Sequence, residues 1–455
     1  MNDENNINKI VSLINNNKKS EAKIICQNEI SNNPSSEIAL SLMGNIFLLE
    51  KNFNEAKNYF LRALTINPKN YSSYIGLGIV SEKLNQNEEA INNFAKALKF
   101  KEGDFQALNN LGFINNKIKK FESAIQYLKE CIEINNNYSA AHYNLGFAYF
   151  NTKELDKAKL HFSESLKLGH KAKDINFYLG EIFKSDANYL DALEHYKQSQ
   201  HNKTKIRILE MLAITNKKNE YLKTLDELKI NNDCDRRVAS ITPHISQEYK
   251  IENTYPFCPD PLDFILQFKL VDEKKIQLEF IDDLIKEIKE QEFNWETPMR
   301  TTVKGYTTKG NLSLKNLAKM KILEKTLLRC VNDYKENFKN KNCTFITSWP
   351  DTLAFHSWSN SLKKEGYNIS HIHPSGWVSG VLYLMVPKDI KNDEAGIEFS
   401  LFGDDFIKNK NKTLNKIFKP SKADLIMFPS SLYHKTIPFK SNEERMCIAF
   451  DLMPS

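Results

Sequence analysis

The sequence predicts a multidomain protein, in which an all-α array of helical repeats is followed by a β-domain with flanking helices. Three observations support this fold class. The first half of the 455-residue chain repeats at a constant interval, and a period of about 34 residues is typical of stacked helix pairs. A segment rich in turn-forming residues and prolines follows. After residue 343, short aromatic or β-branched runs replace the helical pattern, which favours antiparallel strands.

Two ladders of small residues define the repeats. The positions, each one full period from the next, are Ala22, Ala56, Ala90, Ala124, Ala158 and Ala192 in one ladder, and Gly44, Gly78, Gly112, Gly146 and Gly180 in the other. From Ala56 onward, a large residue follows each alanine by four positions, as Phe60 follows Ala56. Small residues let antiparallel helices approach closely, and the large residue one turn on fills the remaining space.

This pattern resembles the tetratricopeptide repeat, as in LGFAYFNTKELDKAKLHFSESLKL, over about residues 7–200. The resemblance implies a superhelix whose concave groove holds a peptide or a helix of a protein partner. The end units depart from the pattern, because Ile10 and Ile214 stand where glycine is expected, and atypical ends are typical of capping repeats. We therefore predict an array of about six repeats plus a degenerate cap over residues 1–230.

Two asparagines precede their ladder glycines by two positions, Asn110 and Asn144. In some tetratricopeptide relatives this position faces the groove and binds a peptide backbone. The alternative is that both side chains belong to the solvated surface.

Residues 231–262 are predicted to be a linker, and residues 263–455 a second domain. The second domain begins with two helical patterns, one on Phe280, Leu284 and Ile288, the other around Leu323 and Leu327. The predicted strands lie in the runs TFITSW, DTLAFHSW, WVSGVLYLMVP, AGIEFSLFG, KADLIMFPS and ERMCIAFDLM. Several such runs without intervening helices favour an antiparallel sandwich or barrel.

Composition excludes several classes of function. Charged residues make up 26% of the chain, and no run approaches the ~18 apolar residues of a membrane span. The net charge of +6 is distributed with lysines alternating with acidic residues, so no nucleic-acid surface is indicated. The seven cysteines form no CxxC pair, which is typical of reduced thiols. With no secretory signal apparent at the N-terminus, we expect a cytoplasmic protein that binds neither nucleic acid nor membrane.

Three histidines form the most informative pattern of the second half. His371 and His373 belong to HIHP, and His434 follows the run DLIMFPSSLY about sixty residues later. In an extended segment, residues i and i+2 point to the same side, so a third imidazole from another strand would complete a set of metal ligands. Imidazole binds Fe, Zn, Cu and Ni alike, so the spacing leaves the metal open.

The context of these histidines resembles the 2-oxoglutarate/Fe(II)-dependent oxygenase superfamily, most closely its branch with an HxHP motif. The resemblance covers about residues 255–455 and rests on HIHP, SGVLYLMVP, GIEF, LIMFPSSLYHKTIPF and ERMCIAFD. It implies a double-stranded β-helix (jelly roll), bound Fe(II), 2-oxoglutarate as cosubstrate and O2. It also implies His371 as the first ligand, His434 as the distal ligand and Arg445 as the partner of the cosubstrate C5 carboxylate, which suits a bidentate guanidinium.

Two further residues are candidates for contact with the cosubstrate. Alternation places Ser379, Val381 and Tyr383 on one face of their strand. Tyr383 stands in YLM where many relatives carry a cosubstrate-binding tyrosine in YLN, and core packing is the alternative for it. Ser379 is the weaker candidate.

His373 departs from the family pattern because it occupies the position of the usual ligand carboxylate. It is either a third neutral ligand or a bystander beside a site of two histidines and water, and we favour direct ligation. If it ligates, restoring the carboxylate with His373→Asp is expected to retain the metal. His356, in FHSW, is interpreted as a packed residue and not as a ligand.

The resulting hypothesis is a cytoplasmic oxygenase that hydroxylates a protein or peptide recruited by the repeats. Two alternatives stay open. One is an oxygenase that acts on a small molecule, and the other is a repeat scaffold whose altered ligand set has lost turnover.

Overall fold

A computed structural model describes residues 2–201, 203–231, 234–296, 301–403 and 414–454. It divides into two compact units, Met1–His201 and Asn202–Ser455. Among the described helices, none has the length and apolar character needed to cross a membrane.

The first unit consists of antiparallel helix pairs, one pair for each sequence repeat. Its helices are α1 Asn2–Asn15, α2 Lys19–Asn32, α3 Glu37–Leu49, α4 Phe53–Ile66, α5 Tyr71–Lys83, α6 Asn87–Phe100, α7 Phe105–Lys117, α8 Phe121–Ile134, α9 Ser139–Asn151, α10 Leu155–Lys167, α11 Ile175–Ser185 and α12 Tyr189–Gln198. Six pairs are present in this unit of the described structure.

Each ladder glycine meets a large residue inside its own helix pair. A Cβ atom added to Gly146 of α9 would lie 2.8 Å from Cδ1 of Phe162 on α10, and Phe162 is completely buried. The same close approach joins Gly44 to Phe60 and Gly180 to Tyr196. The glycine therefore makes room for the large residue of its own pair, which explains why the glycines and the large residues recur with the same period.

Adding one methyl group at a ladder glycine is expected to destabilise the repeats. Phe162 cannot turn aside easily, because its ring also stacks on Tyr178 with centroids 5.4 Å apart. Overpacking of this kind costs about 1–3 kcal/mol, more than the gain of up to about 1 kcal/mol in helix propensity. Gly146→Ala should therefore lower the melting temperature of the full chain measured by circular dichroism. Ser163→Ala on the exposed face of α10 is the control, and an unchanged melting temperature in Gly146→Ala would contradict the packing explanation.

The second unit combines helices with two antiparallel sheets. Its helices are α13 Thr204–Ile214, α14 Lys218–Asn231, α15 Arg236–Tyr249, α16 Leu278–Lys289, α17 Ala318–Phe338 and α18 Thr344–Thr347. Its strands are β1 Leu266–Lys269, β2 Phe293–Trp295, β3 Thr302–Thr308, β4 Leu353–Asn368, β5 Val378–Met385, β6 Ile397–Ser400, β7 Asn415–Phe418, β8 Asp424–Pro429, β9 Tyr433–Thr436 and β10 Arg445–Pro454. Helices α13 and α14, from the segment predicted as a degenerate cap, fall in this unit.

The described strands form a seven-stranded sheet in the order β1-β8-β5-β10-β4-β3-β2 and a three-stranded sheet in the order β7-β6-β9. The apolar core between them includes Val381 and Ala449 from the larger sheet and Phe399 from the smaller one. Residues alternate between the two faces of each strand, so one face of β10 and β5 points into this layer. The predicted fold class, a helical-repeat array followed by a β-sandwich of the jelly-roll type, is confirmed.

The segment predicted as a linker contains a regular helix. Asp235 caps α15 by accepting hydrogen bonds from the N–H groups of Arg237 and Val238. Val238, Ile241 and Ile245 are buried along one face, at spacings that match an amphipathic helix. The turn formers and Pro243 indicated an irregular segment, but the side-chain cap and this stripe stabilise a helix.

The run TFITSW was predicted to be a strand, and this prediction was wrong. It forms the short helix α18, in which the N–H groups of Thr344 and Phe345 donate to the carbonyls of residues 256 and 257. Phe345 is fully buried and packs against Phe257 and Trp377. Short apolar runs fit a helix as well as a strand, and here the aromatic packing decided.

Candidate metal centre

The candidate site lies on the inward face of β10. Arg445, Cys447, Ala449 and Asp451 alternate onto this face, where they line a cavity of about 340 Å³. The neighbouring strands contribute through register, since Cys447 pairs with Asn360 of β4 and with Tyr383 of β5. The shared face predicted from alternation for Ser379, Val381 and Tyr383 agrees with this register, which pairs them with Asp451, Ala449 and Cys447.

His371 and His373 lie on the extended connection between β4 and β5 and not within a strand. His371 forms a bridge with His434 of β9, in which each N–H donates to the other residue's carbonyl at 3.1 Å. The N–H of His373 donates to the carbonyl of Ser430 at 2.9 Å. These backbone hydrogen bonds hold the HIHP segment against β9, which carries the third histidine, and against the turn that precedes β9.

The three imidazoles converge on one point. One ring nitrogen from each of His371, His373 and His434 lies within 4.8 Å of the others, and the Nε2 atoms of His373 and His434 are 3.3 Å apart. A metal held by imidazoles at about 2.0–2.1 Å would separate adjacent ligands by roughly 3 Å. The arrangement therefore fits one metal ion.

The hydrogen bonds of the outer nitrogens favour this interpretation. Nδ1 of His371 lies 2.7 Å from the Ile369 carbonyl, and Nδ1 of His434 lies 3.1 Å from the Leu432 carbonyl. Nδ1 of His373 lies 2.9 Å from the Asp451 carboxylate. Each partner only accepts, so each Nδ1 carries the proton and each Nε2 presents a lone pair to the centre. Converging lone pairs repel unless a cation lies between them, and a metal ion removes the repulsion.

Protonation of the histidines does not supply that cation near pH 7. Burial, with the neighbouring His373 as a smaller cause, lowers the pKa of the His371 imidazole to about 3. Burial also holds the pKa of His434 well below its ordinary value, with His371 and His373 adding to the effect. Both rings are therefore neutral near pH 7, which is the state that binds metals.

Arg445 lies on the same cavity, and its charge is buried. The residue is 1% exposed, its Nε donates to the Ala395 carbonyl at 2.9 Å, and its guanidinium lies 4.9 Å from the ring centroid of Tyr383. Among the described residues, no carboxylate forms an ion pair with it. A buried cation without an anionic partner is costly, so the cavity is suited to a ligand that carries a carboxylate.

The structure places the two other cosubstrate candidates differently. Tyr383 is fully buried beside Arg445 and its hydroxyl has no hydrogen-bond partner within the described ranges. Burial raises its pKa above the ordinary value. The hydroxyl of Ser379 donates to Oδ1 of Asp451 at 2.6 Å and lies 2.8 Å from the hydroxyl of Ser430. The Tyr383 hydroxyl is thus available to a ligand, whereas the Ser379 hydroxyl is engaged in its hydrogen bond to Asp451.

Two residues that support the HIHP segment were not among the predicted site residues. Asp451 accepts a hydrogen bond from the outer nitrogen of His373. The sequence could have indicated it through its position in β10, where every second residue from Arg445 onward faces the same side. Arg236, which lies in the segment predicted as a linker, donates from Nε to the Pro374 carbonyl at 3.1 Å and lies 5.8 Å from the Trp377 ring centroid. No local signal in the sequence connects Arg236 to a proline so remote in the chain.

His356 lines the cavity but is not part of the histidine cluster in the described structure.

In the repeat unit, Asn144 is buried, and its side chain donates to the side chain of Asn109 at 2.9 Å. Its carbonyl accepts from the side chain of Asn116 at 2.8 Å. Asn144 thus joins neighbouring repeats, contrary to the interpretation as solvated surface, while the groove interpretation stays a prediction.

Comparisons with known families agree with both halves of the chain. Residues 356–451 match the family described as "Putative 2OG-Fe(II) oxygenase". Tetratricopeptide repeat models match residues 39–70, 71–104 and 119–172. A comparison with curated proteins found no match.

Among solved structures, PilF from Pseudomonas aeruginosa is 21% identical with a TM-score of 0.41, over 47% of this chain and 96% of that chain. PilW, a type IV pilus biogenesis factor, is 21% identical with a TM-score of 0.40, over 44% of this chain and 94% of that chain. YrrB, a TPR protein with an unusual peptide-binding site, is 22% identical with a TM-score of 0.33, over 38% of this chain and 89% of that chain.

Proposed function

Because the chain carries tetratricopeptide repeats and a C-terminal putative 2OG-Fe(II) oxygenase domain, we propose that the protein is an Fe(II)- and 2-oxoglutarate-dependent oxygenase that hydroxylates a protein or peptide. The repeats recruit that substrate, and the cavity on β10 holds its reacting group. The proposed location is the cytoplasm. Membership of the HxHP branch stays a prediction.

One observation carries the proposal. Three imidazole lone pairs and a buried, unpaired guanidinium face the same cavity. Within the described lining, the only acidic side chain is Asp451, which is paired with His373. The cavity therefore suits a divalent metal together with an anionic ligand, and 2-oxoglutarate carries a carboxylate at each end.

Each residue has a distinct proposed role. His371, His373 and His434 hold Fe(II) through Nε2. Arg445 binds the C5 carboxylate of the cosubstrate, and the Tyr383 hydroxyl, which lacks a protein partner within the described ranges, donates to the same ligand. Ser379 contributes through Asp451. Iron and 2-oxoglutarate supply the O2-dependent chemistry of this family, in which the cosubstrate becomes succinate and CO2 while a C–H bond is oxidised.

The size of the cavity supports a substrate that enters only in part. Its volume of about 340 Å³ is at the lower end of the range of small-molecule sites, roughly 300–1,000 Å³. A five-carbon dicarboxylate takes up much of that space and leaves room for one side chain. Tetratricopeptide repeats commonly bind proteins or peptides, so a residue presented by a recruited chain fits both halves of the molecule.

The experiment that tests this function measures metal content and cosubstrate turnover in the full chain. Purified and loaded anaerobically, the protein should bind about one Fe(II) per chain and convert 2-oxoglutarate slowly to succinate after O2 is admitted. Removing the metal with a chelator should stop turnover, and restoring Fe(II) should recover it. A folded preparation that binds no divalent metal would refute the oxygenase proposal.

The same experiment separates the alternatives. Metal binding without succinate formation would favour the scaffold. Turnover stimulated by a protein captured on the repeats, with that protein gaining one oxygen atom, would support the proposed substrate class. Turnover unaffected by any captured protein but stimulated by a small molecule would favour the small-molecule oxygenase.

A further inference from the structure

The carboxylate of Asp451 is fully engaged around the candidate metal centre. The residue is 7% exposed. Its Oδ2 lies 2.9 Å from Nδ1 of His373, and its Oδ1 accepts a hydrogen bond from the Ser379 hydroxyl at 2.6 Å. A buried carboxylate is stable only when both oxygens have donors, and these two donors meet that need.

His373 differs from the other two histidines in what holds it. His371 and His434 each use the backbone carbonyl of the residue two positions earlier as the acceptor for Nδ1. The acceptor for His373 is a side chain 78 residues away. The ring of Trp358 stacks on His373 with centroids 5.4 Å apart and an angle of 23°, which fixes the plane of the ring but not its protonated nitrogen. Asp451 is therefore the group that keeps the lone pair of His373 on Nε2.

Asp451 also supplies charge. A site with three neutral imidazoles is more positive by one unit than a site with two imidazoles and a ligand carboxylate. The Asp451 carboxylate accepts a hydrogen bond from His373 on the side away from the metal centre. Its negative charge therefore compensates for the missing ligand carboxylate, although it acts through the imidazole and not by direct ligation. A carboxylate behind a metal-bound histidine raises the basicity of the ligand and fixes its orientation.

We propose that Asp451 is the positioning residue of the metal centre, and that the pair of His373 and Asp451 takes the place of the ligand carboxylate. The proposal rests on the proposed metal centre but not on turnover. It assigns to β10 two functions on one face, since Arg445 at its start faces the cosubstrate and Asp451 near its end faces the metal ligand.

This pairing reverses the expectation for His373→Asp. Alone, that change removes the donor to Asp451 and buries a second carboxylate beside it, and like charges in a buried site destabilise each other. We therefore expect His373→Asp to bind metal more weakly than the parent. Asp451→Asn removes the second charge and offers an amide donor, so it should improve metal binding when combined with His373→Asp.

The test is a double-mutant cycle with Co(II) as the probe, measured by titration and by visible absorption of the full chain. In the parent background, Asp451→Asn should weaken Co(II) binding by roughly 10- to 100-fold, because an amide that donates to Nδ1 moves the proton of His373 to Nε2. In the His373→Asp background, the same change should strengthen Co(II) binding. Co(II) absorption should change in Asp451→Asn as an imidazole ligand is lost.

Three outcomes would overturn the proposal. The first is an unchanged Co(II) affinity in Asp451→Asn, and the second is an equal loss of Co(II) affinity from Asp451→Asn in the parent and in the His373→Asp background. The third is a loss of Co(II) affinity in Ser379→Ala as large as that in Asp451→Asn, since Ser379→Ala removes a neighbouring hydrogen bond but keeps the Asp451 carboxylate. If Asp451→Asn does not fold, Asp451→Glu and Asp451→Ala provide the test. Asp451→Glu should retain a higher Co(II) affinity than Asp451→Ala, and equal Co(II) affinities would refute the proposal. Absence of 2-oxoglutarate turnover alongside the expected Co(II) results would refute the proposed function and leave this inference standing.

Discussion

His434→Ala is expected to abolish metal binding and turnover together. The change removes one of three converging lone pairs and the only one contributed by β9. Changes behind a ligand already cost roughly 10- to 100-fold in metal affinity, so removing a ligand should cost more than about 100-fold. Anaerobic titration with Fe(II) and measurement of succinate should show both losses in the full-length protein.

His356→Ala is the matched control for this experiment. His356 lines the same cavity but its ring is not among the converging imidazoles of the described structure. Its replacement should leave the Fe(II) stoichiometry at the parent value. If His434→Ala keeps about one Fe(II) per chain, or if His356→Ala loses it, the proposed ligand set is wrong.

Arg445→Ala is expected to weaken 2-oxoglutarate binding while the metal stays in place. The guanidinium is buried and lies on the cavity wall without a carboxylate partner among the described residues. Losing a charge-assisted hydrogen bond costs about 1.5–3 kcal/mol, which corresponds to roughly 10- to 100-fold in affinity. Calorimetric titration of the metal-loaded protein with 2-oxoglutarate under anaerobic conditions measures this effect.

Arg445→Lys separates charge from geometry. Lysine keeps the positive charge but cannot form two parallel hydrogen bonds to a carboxylate, so its affinity should lie between those of the parent and Arg445→Ala. Retention of about one Fe(II) per chain in both variants shows that the site is folded. Unchanged cosubstrate affinity in Arg445→Ala would assign this residue to packing against Tyr383.

The sequence by itself determined the features that depend on local periodicity. The constant interval between repeats identified the helix pairs, because the glycine and the large residue of each pair must recur together for the helices to approach. Alternation placed Ser379, Val381 and Tyr383 on one face of β5, because successive side chains of a strand point to opposite sides. The i, i+2 spacing of His371 and His373 similarly indicated that both rings face one side.

Only the tertiary structure decided which distant groups complete these faces. The pairing of His373 with Asp451, the support that Arg236 gives to the HIHP segment and the helix formed by TFITSW all depend on contacts with residues remote in the chain. Periodicity reports which side of an element is buried, but it does not report what lies opposite. The nitrogen that an imidazole turns toward a metal is set by the acceptor behind its other nitrogen, and for His373 that acceptor is brought into place by the register of β10 between β4 and β5.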